Sequence, residues 1–170
     1  MYFKGYPPAQ LEDWHTNFGE MQALETLEMW FCSFCTDEDV EGVIVSAGED
    51  ALYLLFAALD TIRVPMPRLT RLRWQYSFCM ANPTKIPFLP FEDWLRQSPR
   101  WGTLDRTLTS DIFPVLSAVQ LKFDILGLGL DEDSINQIPG VTTRMQQLRK
   151  EVFSRSVAAF GEKFELELEN

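Results

Sequence analysis

The chain has 170 residues, 46% of them hydrophobic, and a formal net charge of −10, which is enough length and apolar content for a single globular domain over 1–170. The carboxylate excess excludes nucleic acid and anionic membrane surfaces as favoured targets, because both demand neutralising bases. Thirteen Phe, five Trp and four Tyr separate the chain from disordered acidic segments, which lack the apolar surface needed to fold.

The charge is unevenly placed. Residues 1–62 carry twelve Asp or Glu against the single base Lys4, and residues 63–106 carry eight Lys or Arg against three acids. Such asymmetry speaks of fields and partners rather than of fold.

In chain order, the N-terminus Met1-Tyr2-Phe3-Lys4-Gly5-Tyr6-Pro7-Pro8 lacks the apolar core of a secretory signal, and no run approaches the ~18 apolar residues of a membrane span. Three cysteines, an odd number, argue against a disulfide framework and for a reducing compartment. The expectation is a cytoplasmic protein. Apolar residues at alternating spacings of three and four then predict amphipathic helices. Met21, Leu24, Leu27, Phe31 and Phe34 mark the first, and Leu52, Leu55, Leu59 and Ile62 the second, starting near Glu49-Asp50. Leu69, Leu72, Tyr76 and Cys79 mark a third, stopped at Asn82-Pro83. A fourth runs from Ser110 through Ile112, Leu116, Val119, Phe123 and Leu126 to the Gly127-Leu128-Gly129 stop. After Pro139-Gly140 the longest helix passes through Val141, Met145, Leu148 and Val152, then shifts its stripe to Phe153, Val157 and Phe160 before Gly161.

Two segments read as strand. Phe164, Leu166 and Leu168 alternate with Glu165, Glu167 and Glu169, and Val43-Ile44-Val45 is a short β-branched run. The proline-rich stretches Val64–Pro67 and Ile86–Pro90 read as linkers, and no internal repeat is found. The fold expected is mainly α: a bundle of five to six helices with a small β-sheet from Val43–Val45 and Phe164–Leu168.

No motif carries a specific chemistry. Cys32 and Cys35 form a CxxC which, with Cys79 and the only histidine, His15, reaches the four ligands of a tetrahedral zinc site. The pair lies in an aromatic run, however, where cysteine is commonly a small buried hydrophobe. Asp37, Asp39, Glu41 and Gly42 fall at positions 1, 3, 5 and 6 of an EF-hand loop, but position 12 is Gly48 and the nearest acid, Glu49, comes one residue late. One histidine cannot complete a di-iron pair of Glu-x-x-His motifs. Arg63, Arg68, Arg71, Arg73, Lys85, Arg96, Arg100 and Arg106 interleave with Trp74, Tyr76, Trp94 and Trp101, the mix that contacts single-stranded nucleic acid. Pairing with the acidic N-terminal third is the competing explanation, and the overall charge favours it.

The functional expectation is a non-enzymatic acidic protein that binds and neutralises, or scaffolds, a basic protein partner, as an immunity protein or inhibitor does. Complementary fields accelerate such capture. The expected partner-binding residues are Glu12, Asp13, Trp14, Trp30, Asp37, Glu38, Asp39, Glu41, Glu49 and Asp50, with no catalytic or metal residue and no cofactor. The alternatives are a calcium-responsive module using Asp37–Glu49 and a helical enzyme or small-ligand binder.

Overall fold

A computed structural model of the chain describes residues 2–4, 22–35, 49, 52–60, 62, 64–80, 88–127 and 140–169. Strands and helices alternate along it. A short strand β1 (Tyr2–Lys4) comes first, followed by β2 (Thr26–Cys35), a helix α1 over 52–60, and β3 (Arg71–Met80). Helices α2 (Phe88–Gln97) and α3 (Pro99–Leu108) lead to β4 (Ala118–Gly127); α4 (Val141–Val152) and α5 (Ser154–Phe160) lead to β5 (Phe164–Glu169).

All strand pairings are parallel and the sheet order is β1-β2-β3-β4-β5, so four long strands and a three-residue edge form an α/β fold. This corrects the expected mainly-α bundle. The periodicity behind that expectation is ambiguous for a physical reason: a spacing of four is even, so it keeps two residues on one face of a strand as well as of a helix. Leu27 and Phe31, Leu72 and Tyr76, and Val119 and Phe123 are such pairs, and all six are buried. The residues midway between them, Met29, Trp74 and Leu121, are buried too, as only a period of two allows. Three of the expected helices are therefore β2, β3 and β4. The expected α1 and the Phe164–Leu168 strand do form, whereas Val43–Val45 lies outside the described residues. Pro90 belongs to the first turn of α2 rather than to a linker, a position where its missing N–H costs nothing.

Because consecutive strands are neighbours and all run the same way, the crossovers between them stack their helices on one side of the sheet. The aromatic contacts trace that layer. Trp74 and Phe123 of β3 and β4 pack on Trp101 of α3, Phe78 and Phe123 meet Phe91 and Trp94 of α2, and Phe164 of β5 meets Phe153 between α4 and α5. Leu52, Leu55 and Leu59 of α1 join the same core. Each such side chain contributes about 1.5–3 kcal/mol by leaving water. The shift of stripe at Val152–Phe153 is a real break: Phe153 separates the two helices and plugs the core between Trp101 and Phe164.

The strands also reveal an internal repeat that the residue identities hide. Register partners lie 45 residues apart from β2 to β3 (Thr26 and Arg71), 47 from β3 to β4 (Arg71 and Ala118) and 45 from β4 to β5 (Val119 and Phe164). Running into three of these strands the same triplet spacing recurs, as Leu24-Leu27-Phe31, Leu69-Leu72-Tyr76 and Leu116-Val119-Phe123. Backbone bonds tie each unit to the last: the N–H groups of Thr70 and Arg71 donate to the Glu25 carbonyl at 2.9 and 3.2 Å, and those of Ser117 and Ala118 donate to the Thr70 carbonyl at 3.0 and 3.1 Å. The hydroxyls of Thr70 and Ser117 donate to those same carbonyls at 3.1 and 3.2 Å. Stacked units of this kind form a solenoid, in which each unit rests on its neighbours.

Candidate functional site

All-parallel sheets usually have helices on both faces and read as unbroken apolar runs. Here the strands alternate, and none of the described helices packs on the second face. That face carries Glu28, Trp30 and Cys32 of β2; Arg71, Arg73, Gln75, Ser77 and Cys79 of β3; Gln120, Lys122 and Asp124 of β4; and Glu165 and Glu167 of β5. These are the positions out of phase with the core residues, so the covered and open faces follow from one alternation.

The polar groups are held in rows across the strands. Arg73 pairs with Glu28 at 3.2 Å, and the Gln120 amide donates to Glu167 at 3.0 Å. Asp124 accepts from the Gln75 amide at 2.5 Å and the Ser77 hydroxyl at 3.0 Å, with the Lys122 ammonium 3.7 Å away. Cross-strand pairs of this type each add a few tenths to about 1 kcal/mol and, more usefully, fix side-chain positions. The thiols of Cys32 and Cys79 lie 2.8 Å apart on the same face. Among these polar rows stands Trp30, with 39% of its surface exposed.

Two of the residues expected to bind a partner, Trp30 and Glu49, are among the described residues, and of these Trp30 is on this face. Glu49 sits on the other side of the sheet, where its carboxylate accepts from the Trp94 indole at 3.0 Å and pairs with Arg100 at 3.1 Å. The structure does not bring these two together. Glu12, Asp13, Trp14, Asp37, Glu38, Asp39, Glu41 and Asp50 lie outside the described residues, as does the rest of the EF-hand-like stretch before Glu49. His15 and the side chain of Cys35 lie outside them as well, and among the described residues no group of three or more His, Cys, Asp or Glu could hold a metal ion.

Among the described residues of the basic middle segment, three arginines are ion-paired within the fold. Arg73 pairs with Glu28, Arg100 with Glu49, and Arg96 with Glu92 at 2.9 Å and Glu151 at 3.2 Å. Arg144 of α4 also reaches Glu92, closing a charged cluster between α2 and α4. Trp74, Tyr76, Trp94 and Trp101 are all in the core, so none offers a face on which a base could stack. Compared with known proteins, the chain matches no family model, no curated protein and no solved structure. Among the described residues, no helix is long and apolar enough to cross a membrane.

The open face escaped the sequence reading because its signal lies in the residues between the core positions. Glu28 and Trp30, Arg73 and Gln75, Gln120 and Lys122, and Glu165 and Glu167 are polar or amphipathic at every second position of four segments. Only β5, whose alternation is strict, shows this without the other strands for comparison.

Proposed function

We propose that this chain is a non-enzymatic interaction module that engages a protein partner across the open face of its sheet, with a basic protein as the favoured target. The observation that carries the reading is Trp30: a large aromatic standing half-exposed among ordered polar rows, on the side of the sheet where none of the described helices packs. Solenoids use such extended faces for binding, and exposed Trp residues ringed by polar groups are the usual anchors of interfaces. The preference for a basic partner rests on the net charge of −10 of the chain as a whole, since the described charges of the open face itself nearly balance. Complementary charge raises association rates more than it raises affinity.

The test is affinity capture at low salt with the wild-type chain, Trp30→Ser and Tyr53→Ser, the last being an exposed aromatic on α1. The wild type and Tyr53→Ser should retain one high-pI protein, and Trp30→Ser should lose it at least tenfold. The association rate should fall steeply with added salt. Equal retention by both variants defeats the proposed face, and a salt-independent rate defeats the electrostatic part.

A further inference from the structure

Where the strands of the open face begin, Arg71 and Arg73 of β3, Gln120 of β4, and Lys163 and Glu165 at the start of β5 enclose a hollow of ≈ 240 Å³ with Ala118 and Val119. Register explains the depression. Arg71 is paired across the strands with Ala118, and Arg73 with Gln120, so the short side chain of Ala118 leaves a gap flanked by the long arms of Arg71 and Lys163. Three cations and one carboxylate line the gap in a protein whose net charge is −10. Such a concentration of positive charge is therefore local and opposed by the field around it.

Much of that donor capacity is unspent. Arg73 gives one terminal nitrogen to Glu28, while its Nε is buried without a hydrogen-bond partner. Among the described residues, neither Arg71 nor Lys163 forms an ion pair. A buried donor left unmade is costly, and guanidinium groups present planar forks that match carboxylate and phosphate oxygens.

We propose that this hollow is an oxyanion-binding site, seating a carboxylate or phosphate group carried by a peptide bound across the open face. Arg71, Arg73 and Lys163 hold the oxygens. Glu165 accepts an N–H of the peptide beside the anion, which selects an anion attached to a chain over a free one. The oxyanion chemistry stands on the hollow itself, and its delivery by a peptide rests on the interface proposed above.

The experiment is thermal melting in low-chloride buffer with inorganic phosphate or acetate as probe, on the wild type, the double variant Arg71→Gln/Lys163→Gln, and Lys150→Gln, an exposed lysine of α4. Phosphate at tens of millimolar should raise the wild-type melting temperature by mass action. The double variant should lose at least two thirds of that rise, and Lys150→Gln should keep it. A matching rise with acetate assigns the site to carboxylate side chains, and a rise with phosphate alone assigns it to phosphorylated ones. No rise with either probe, or an undiminished rise in the double variant, overturns the proposal and leaves the Trp30 interface standing. Loss of capture by neither Trp30→Ser nor Tyr53→Ser, with the anion effect intact, removes the interface and leaves the hollow.

Discussion

The carboxylate of Asp105 on α3 accepts the backbone N–H of Ser156 at 2.8 Å and that of Arg155 at 3.1 Å, and so caps the start of α5 from a residue some fifty positions away in the chain. Asp105 is buried. Its bonds satisfy two N–H groups that the first turn of a helix leaves open, and its charge suits the positive end of the helix dipole. Asp105→Ala should lower stability by about 1–3 kcal/mol, because a buried donor and a part-buried one lose their acceptor. Urea unfolding measures this, and Asp105→Asn should recover part of the loss by offering one oxygen.

The two faces of the sheet should respond differently to substitution. Phe123 touches Trp74, Phe91, Trp94 and Trp101 with ring centroids between 5.0 and 5.9 Å. Phe123→Ala opens a void among four rings and should cost about 3–5 kcal/mol. Glu165→Gln, on the open face of the next strand, should change stability by less than about 0.5 kcal/mol. Similar melting temperatures for the two variants would contradict the assignment of faces.

Arg149 is a buried cation that pairs with no carboxylate among the described residues. Its Nε donates to the Phe164 carbonyl at 2.7 Å, a terminal nitrogen reaches the Gly161 carbonyl, and its guanidinium lies 6.0 Å from the Phe164 ring centre. Gly161 adopts φ 57 and ψ −128, a conformation that favours glycine, where the chain passes from α5 towards β5. Arg149→Lys keeps the charge but not the fork, and should cost about 1.5–3 kcal/mol. The loss should appear as faster hydrogen exchange in β5 before any change in β3.

The Cys32 and Cys79 thiols, at 2.8 Å, are placed for a cross-strand disulfide. Oxidised glutathione should convert the pair to one S–S bond with release of two reduced glutathiones, lowering the protein mass by about 2 Da. Cys79→Ser should abolish that product. A wild-type chain that only accumulates mixed disulfides would show that the strands hold the two sulfurs too rigidly to join.

The helical half of the fold was legible wherever turn chemistry and periodicity agreed. The stripe Leu52-Leu55-Leu59 and the Pro139-Gly140 to Gly161 span have boundaries marked by proline or glycine, and both formed helices. The Phe164–Leu168 strand was legible because glutamates fill every second place. For β2, β3 and β4 the leucine three residues before each core triplet completes a false helical pattern, as Leu69 does ahead of Leu72 and Tyr76. That leucine precedes the strand, buried in the case of Leu69 and Leu116 and partly buried in that of Leu24, so its contribution to the pattern comes from the repeat and not from a helix. Trp30 and Glu49 were both named from the sequence as partner-binding candidates, but the thickness of the sheet separates them. Arg71 and Lys163 are 92 positions apart, and only the strand order places them around one hollow.

A sheet built from strands that meet only the next in line never closes on itself. Among the described residues β5 ends the order, and its outer backbone groups present the kind of edge on which foreign strands add and chains aggregate. Lys163, Glu165 and Glu167 place charge along that margin, and like-charged glutamates on an incoming copy would repel it. The alternation that revealed β5 in the sequence is thus also its guard against fibrous self-assembly.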